Sequence, residues 1–137
     1  MVLLVENDPA DVQLFMDCIG EDRDQGHVRV AGDGEEALRY LRQEGEYAGS
    51  ARPALIILDL NMPRMDGREL LRTVKGDETL KEIPVVVFST SSAEHDITQA
   101  YRDHANCYLV KPMDFRLYCA LVKDMMRFWL AIAALPE

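Results

Sequence analysis

The chain has 137 residues, of which 48% are hydrophobic and 28% charged, a composition typical of one globular domain and not of a disordered segment. Its net charge of −9 argues against nucleic acid and anionic membrane surfaces as ligands, because both are bound through clustered lysine and arginine. The longest apolar run, residues 128–135, is much shorter than the roughly 20 residues that a membrane span needs. We therefore expect one domain that binds neither nucleic acid nor membrane.

Short apolar runs alternate with helical patterns along the whole chain. Five runs predict strands: residues 1–5, 27–31, 54–58, 83–88 and 107–110. Most of them are almost continuously apolar, as expected of strands that are buried on both faces, while the second is more polar. A helix is predicted after each strand, opened in turn by a side chain suited to an N-cap: Asp8, Asp33, Asp66, Ser91 and Asp114. Polar stretches at 20–26 and 45–53 predict loops.

The alternation of strands and helices indicates a parallel sheet that is covered by helices on both sides. Right-handed crossovers and the length of the chain favour a doubly wound α/β fold of the flavodoxin-like (βα)5 type, with strand order 2-1-3-4-5. In such sheets ligands bind outside the carboxyl ends of the strands. The residues that follow each strand are therefore the candidates for a functional site.

Acidic, amide, hydroxyl and amine side chains follow four of the five predicted strands. In chain order they are Glu6, Asn7, Asp59, Asn61, Ser89 and Lys111. Carboxylates that lie close together repel each other, and a hard divalent ion such as Mg²⁺ with oxygen ligands removes that conflict. A carboxylate beside Mg²⁺ can attack phosphorus to form an acyl phosphate, whose oxygens an ammonium and a hydroxyl would stabilise.

Four motifs carry a resemblance to a known family: VEND at 5–8, LDLNMPRMDG at 58–67, FST at 88–90 and YLVKP at 108–112. The chain resembles the receiver domain of two-component response regulators over its whole length. The segment VENDPAD and the apolar C-terminal end also resemble stand-alone receivers that partner phytochrome-type light-sensing histidine kinases. The resemblance implies a single receiver domain, residues 1–137, without an output domain, which accepts a phosphoryl group from a histidine kinase.

The resemblance implies a role for each strand-end acid and amide. Asp59 would be the phosphoryl acceptor, while Glu6 and Asn7 would hold Mg²⁺ directly or through water. The backbone carbonyl of Asn61 would complete the protein ligands. The family usually has an aspartate where this chain has Asn7, so we predict a weaker Mg²⁺ site. Asp8 is an alternative metal contact, although its position before a proline favours the N-cap.

The resemblance also implies the parts of a conformational switch. Ser89 and Lys111 would bind the phosphoryl oxygens, and Tyr108 would be the aromatic residue whose orientation follows Ser89. The bond between Lys111 and Pro112 would be a cis peptide bond. Phosphorylation would then change the face formed by the fourth helix, the fifth strand and the last helix.

The last helix carries two neighbouring apolar stripes. One consists of Leu117, Leu121, Met125, Phe128 and Ile132, and the other of Tyr118, Val122, Met126, Trp129 and Ala133. One stripe is enough to cover a sheet. We therefore predict a homodimer through this helix, with an interface formed by Tyr118, Val122, Met126 and Trp129. The alternative is a helix that is buried more deeply than usual.

Cysteine usage predicts the compartment. Cys18, Cys107 and Cys119 are odd in number and widely spaced, and they form no C-x-x-C motif. No signal-peptide pattern is present. We therefore predict three reduced, buried cysteines in a cytoplasmic protein.

Two other functions compete with a phosphoryl-accepting switch. A haloacid-dehalogenase-like phosphatase also uses a strand-end aspartate, Mg²⁺ and a lysine, but it needs a general acid two residues after its nucleophile. Asn61 occupies that position and cannot donate a proton to a leaving group, so turnover as an enzyme is not expected. A pseudo-receiver that no longer takes phosphate is favoured only by Asn7, and intact Asp59, Ser89 and Lys111 argue against it.

Overall fold

The computed structural model describes residues 1–20, 27–62 and 65–136, and these residues form one five-stranded parallel sheet. The strands are β1 (Val2–Val5), β2 (Val28–Ala31), β3 (Leu55–Leu58), β4 (Val85–Ser89) and β5 (Cys107–Val110). Their order is β2-β1-β3-β4-β5, which confirms the predicted topology. The three central strands are buried along their whole length, as their continuous apolar sequences predict.

Five α-helices connect and follow the strands in the described part of the chain. They are α1 (Pro9–Ile19), α2 (Gly34–Leu41), α3 (Gly67–Gly76), α4 (Glu94–Arg102) and α5 (Phe115–Arg127). A single 3-10 turn, Gly45–Tyr47, lies in the predicted loop at 45–53, and a π-helical turn, Phe128–Ile132, extends α5. Most of the predicted loop at 20–26 lies outside the described residues.

Four of the five predicted N-caps are confirmed, because the side chains of Asp8, Asp33, Asp66 and Asp114 each accept a backbone N–H in the first turn of their helix. The predicted cap at Ser91 is wrong. Ala93 stands at the N-cap of α4 and makes no side-chain cap, since the helix begins two residues later than the pattern suggests. The hydroxyl of Ser91 donates instead to Asp96 at 2.6 Å.

The helices cover both faces of the sheet. Buried residues of α2, α3 and α4 pack on one face, and those of α1 and α5 pack on the other. No helix among the described residues has the length and apolar character required to cross a membrane. The doubly wound architecture follows, and it leaves the carboxyl ends of all five strands at one edge of the sheet.

The predicted dimer interface is wrong for three of its four residues. Tyr118, Val122 and Met126 are only 4%, 0% and 6% exposed and belong to the core under the sheet, while Trp129 packs against that core. A helix that packs on a sheet must bury one stripe, and this is the stripe that it buries. The large apolar side chains exposed along α5 and the turn that extends it are Phe115, Leu117, Phe128, Leu130 and Ile132.

The prediction of three reduced cysteines is also wrong. Cys18 in α1 and Cys119 in α5 form a disulfide, and only Cys107 is free. The two helices pack side by side and bring the two Cα atoms to 4.9 Å, although 101 positions separate the cysteines in sequence. Burial raises the pKa of the free Cys107 thiol, as is typical of an unreactive structural cysteine.

Candidate functional site

The ends of β1, β3 and β5 bring three charged side chains to one edge of the sheet. Val5 is in register with Leu58, so Glu6 and Asp59, the next residues, lie side by side. The backbone holds both in place, because the Glu6 N–H donates to Ala31 and the Asp59 N–H donates to Val5. The sheet therefore fixes two carboxylates next to each other before any ligand arrives.

Lys111 completes this set from the end of β5. Its N–H donates to the carbonyl of Ser89 at 2.7 Å, and its ammonium donates to Glu6 Oε1 at 2.8 Å. The ammonium also lies 5.5 Å from the centre of the Phe88 ring and 3.7 Å from Asp11 Oδ2. The cis bond predicted for Lys111–Pro112 is wrong: the bond is trans, the isomer that X-Pro bonds favour intrinsically.

The charge balance of the site shifts two pKa values. Burial and the charge of Glu6 raise the pKa of Asp59 to about 6, although Lys111 and the N–H of Asn61 act in the opposite direction. Burial alone would lower the pKa of Lys111, but the hydrogen bond to Glu6 and the surrounding carboxylates outweigh it and raise the pKa. At Asp59, burial and the neighbouring Glu6 carboxylate thus outweigh the single ammonium, and an added cation would offset both.

The donor set fits a small divalent cation. Glu6 and Asp59 offer carboxylate oxygens at the sheet edge, and Asn7 and Asn61 follow in the exposed loops. The described residues contain no cluster of three or more acidic, histidine or cysteine side chains that could hold a metal ion. Two carboxylates with neutral oxygens and water suit Mg²⁺. The side chain of Asp8 accepts the N–H of Ala10 and acts as the N-cap of α1.

The two predicted switch residues meet at Ser91. The Ser89 hydroxyl is buried at the end of β4 and accepts the N–H of Ser91 at 3.2 Å. Tyr108 is also buried, and its hydroxyl donates to the carbonyl of Ser91 at 2.9 Å. The Ser91 hydroxyl in turn donates to Asp96 of α4, which is paired with Arg68 of α3 at 3.3 Å. A displacement of Ser89 would therefore reach both Tyr108 and α4.

Comparisons with known proteins show the family to which the chain belongs. Residues 2–123 match the response regulator receiver domain. The chain belongs to this family. The response regulator Rcp1 of Synechocystis sp. is 40% identical to it over 136 residues, which cover 99% of this chain and 92% of Rcp1.

Solved receiver structures agree with this assignment. The phosphorylated cyanobacterial phytochrome response regulator RcpA matches with a TM-score of 0.93 at 47% identity, covering 99% of this chain and 97% of RcpA. The Mn²⁺-bound form of Rcp1 matches with a TM-score of 0.90 at 39% identity, covering 99% of this chain and 98% of that chain. The predicted family, fold and signalling class are confirmed: this protein is a response regulator of two-component signalling, whose standard function is to accept a phosphoryl group.

The sequence did not lead us to place two residues of this receiver, Asp11 and Gly67, in the site. Asp11 lies in the first turn of α1, three residues after the N-cap Asp8, which already explains an acidic residue at the start of the helix. Gly67 opens α3 against the turn after Asp59, and a Cβ there would lie 2.6 Å from the Cα of Leu60 and closer still to the carbonyl oxygen of Asp59. The Asp66-Gly67 pair at the end of the long motif was the available signal.

Proposed function

We propose that Asp59 accepts the phosphoryl group and that the donor is a phosphohistidine of a histidine kinase. One observation carries the proposal: the half-buried Asp59 carboxylate lies beside Glu6 at the carboxyl edge of the sheet, with the Lys111 ammonium in the same cluster. An ionised nucleophile, an acidic partner for a metal and a cation for the transferred group are the parts that phosphoryl transfer requires.

Mg²⁺ is the proposed cofactor, held by Glu6 and Asp59 with the Asn61 carbonyl and the Asn7 amide oxygen, directly or through water. When bound, the ion supplies positive charge to the phosphoryl oxygens. It also offsets the burial and the charge of Glu6, which together raise the pKa of Asp59 to about 6. With the cation present, the acceptor is ionised at neutral pH and available as a nucleophile.

In the proposed reaction, an oxygen of Asp59 donates an electron pair to phosphorus while the bond between phosphorus and the imidazole nitrogen breaks. The imidazole leaves with that electron pair and takes a proton, and an acyl phosphate remains on Asp59. Lys111 and Ser89 pair with the phosphoryl oxygens, since an ammonium and a hydroxyl stabilise the charge that collects there.

The proposed output follows from the hydrogen bonds of Ser89. To reach a phosphoryl oxygen, the hydroxyl gives up the N–H of Ser91, whose carbonyl holds the hydroxyl of Tyr108. The movement alters the position of Tyr108 and of the first turn of α4, where Asp96 is bound to Ser91. We infer that the face formed by α4, β5 and α5 reports the phosphorylated state to a partner.

We propose that the protein acts in the cytoplasm as one receiver domain over residues 1–137. We further propose that its kinase is of the phytochrome type. Support comes from RcpA, a phytochrome response regulator that is 47% identical to this chain. The test is transfer of labelled phosphate from an autophosphorylated phytochrome-type kinase, with a histidine kinase of another class as control. Faster transfer from the phytochrome-type kinase to the native protein, and none to Asp59→Asn, is expected. Equal transfer from both kinases would contradict the partner, and labelling of Asp59→Asn would contradict the acceptor.

Replacing Asn7 with aspartate is expected to tighten Mg²⁺ binding by about an order of magnitude, since a charged oxygen replaces a neutral one. Calorimetric titration of both proteins with Mg²⁺ measures the change. Asp8→Asn is the matched control, because asparagine caps a helix about as well as aspartate, so this variant removes a charge without disturbing α1. Unchanged affinity in Asn7→Asp would show that position 7 does not contact the metal, and weaker affinity in Asp8→Asn would assign the contact to Asp8.

We propose a homodimer through the exposed apolar side chains at the end of α5, chiefly Phe128 and Ile132, which are 49% and 59% exposed. Light scattering at high micromolar concentration is expected to give the mass of a dimer for the native protein and of a monomer for Phe128→Asp. Met113→Asp, which changes an equally apolar exposed residue ahead of α5, should leave the dimer intact. A native monomer, with or without phosphorylation, would refute the dimer.

A further inference from the structure

The ammonium of Lys111 is shared between two carboxylates that approach it from different elements. Glu6 at the end of β1 contacts it at 2.8 Å, and Asp11 in the first turn of α1 lies at 3.7 Å. The side chains of Lys111 and Glu6 are 8% and 5% exposed, while that of Asp11 is 40% exposed. Glu6 is thus the inner partner of the ammonium and Asp11 the outer one.

A divalent cation at Glu6 would lie close to the ammonium that this carboxylate already binds. Its Oε1 accepts from Lys111, and its Oε2 accepts the N–H of Asp8 at 3.2 Å. A divalent cation at Glu6 repels the ammonium that now lies against the same carboxylate. The ammonium then needs a second anion within reach, and Asp11 is the one that the first turn of α1 supplies.

The charge count of the site leads to the same residue. Glu6, Asp59 and Asp11 carry three negative charges and Lys111 one positive charge, so the cluster has a net charge of −2 and a divalent cation neutralises it. Without Asp11 the net charge would be −1, because Asn7 contributes none. The charge of Asp11 also acts on a neighbouring side chain of the cluster. Burial raises the pKa of Tyr118, and the negative charge of Asp11 raises it further.

We propose that Asp11 is a positioning residue of this receiver: it holds the Lys111 ammonium when Glu6 turns to the divalent cation, and it supplies the negative charge that Asn7 does not. The inference rests on the proposed phosphoryl-acceptor function. Asp11 does not touch the phosphoryl group in this account. It acts through Lys111, which it keeps near the site and away from the cation.

The test is a double-mutant cycle on the dissociation constant of Mg²⁺, with Mg²⁺ itself as the titrant. Asp11→Asn is expected to weaken Mg²⁺ binding about threefold, the size of a partly exposed ion pair, and Asp11→Glu should restore most of the affinity. In a Lys111→Met background the same Asp11→Asn change should have a clearly smaller effect, because only the direct attraction between the Asp11 carboxylate and the cation remains to be lost. An equal loss in both backgrounds would overturn the positioning role and leave only long-range attraction.

Asp17→Asn is the matched control, since it removes an equal charge from an exposed position farther along α1. Its Mg²⁺ affinity should stay at the native value, and a threefold loss there would overturn the inference. A second readout does not depend on a Lys111 variant that folds: the ¹H–¹⁵N resonance of the Lys111 ammonium in the Mg²⁺-loaded protein. Asp11→Asn should shift or broaden that resonance, and an unchanged resonance would contradict the contact.

Failure of this inference and failure of the proposed function give different results. If the native protein takes up phosphate on Asp59 but the cycle shows no coupling, Asp11 has no positioning role and the acceptor site stands. If the protein takes up no phosphate but the coupling is present, the charge cluster is a cation site without phosphoryl transfer. A native protein that binds no Mg²⁺ at all would overturn the inference directly.

Discussion

Replacing Asp59 with asparagine is expected to stabilise the protein without divalent cations at pH 7.5 by about 1–3 kcal/mol. The physical reason is the raised pKa of about 6, which burial and the charge of Glu6 impose on this carboxyl. Above that pH the folded protein holds an ionised carboxylate in a place that disfavours it, whereas the unfolded chain does not. Asparagine removes this cost while keeping the shape of the side chain.

The sign of the pH dependence follows from the same pKa. Between the ordinary value of 3.8 and about 6, the folded state holds a proton on Asp59 that the unfolded state has lost. The contribution of this group to stability is therefore present at low pH and is lost as the pH rises through 6. The stability gained by Asp59→Asn should be about a third of its full size at pH 4.5 and complete at pH 7.5.

Chemical denaturation of both proteins at these two pH values, in the presence of a chelator, measures the effect. Asp17→Asn serves as the control because it removes an exposed acid with no part in the site. Equal stability of Asp59→Asn and the native protein at both pH values would mean that the ionised Asp59 carboxylate does not lower the free energy of unfolding. Saturating Mg²⁺ should narrow the difference, since it stabilises the ionised native site and not the variant.

Loss of the Cys18–Cys119 disulfide is expected to cost about 3–5 kcal/mol of the free energy of unfolding, because the bond closes a loop of about 100 residues in the unfolded chain. The pair joins α1 to α5, the two helices that cover one face of the sheet. The guanidinium midpoint of the native protein should therefore fall when a thiol reductant is added.

Two variants make this measurement specific. Cys18→Ser should show the low midpoint with and without reductant, and Cys107→Ser should behave like the native protein, because Cys107 is not bonded. Identical midpoints of the native protein with and without reductant would contradict the disulfide.

The order of the elements could be predicted because each rests on a local pattern. The apolar runs of β1, β3 and β4 have one physical explanation, burial on both faces of a parallel sheet. The site followed from the fold, since the carboxyl ends of parallel strands meet at one edge and Glu6, Asp59 and Lys111 stand directly after them. That these three side chains lie close together could therefore be predicted without any knowledge of side-chain geometry.

Two of the predictions that failed depended on contacts between elements, and a third on a local contact. Both apolar stripes of α5 have the spacing of a helix, and only packing decides that Tyr118 and Val122 face the sheet. The disulfide depends on the crossing of α1 and α5, which cysteine spacing does not encode. Ser91 has the spacing of a cap, but its hydroxyl bonds to Asp96 across the first turn of α4 instead.

The central claim, that Asp59 takes up a phosphoryl group with the help of Mg²⁺, is tested most directly by intact mass spectrometry after incubation with acetyl phosphate. The native protein is expected to gain the mass of one phosphoryl group in the presence of Mg²⁺ and none in the presence of a chelator. Asp59→Asn should gain none under either condition. No adduct on the native protein at any Mg²⁺ concentration, or an equal adduct on Asp59→Asn, would contradict the account.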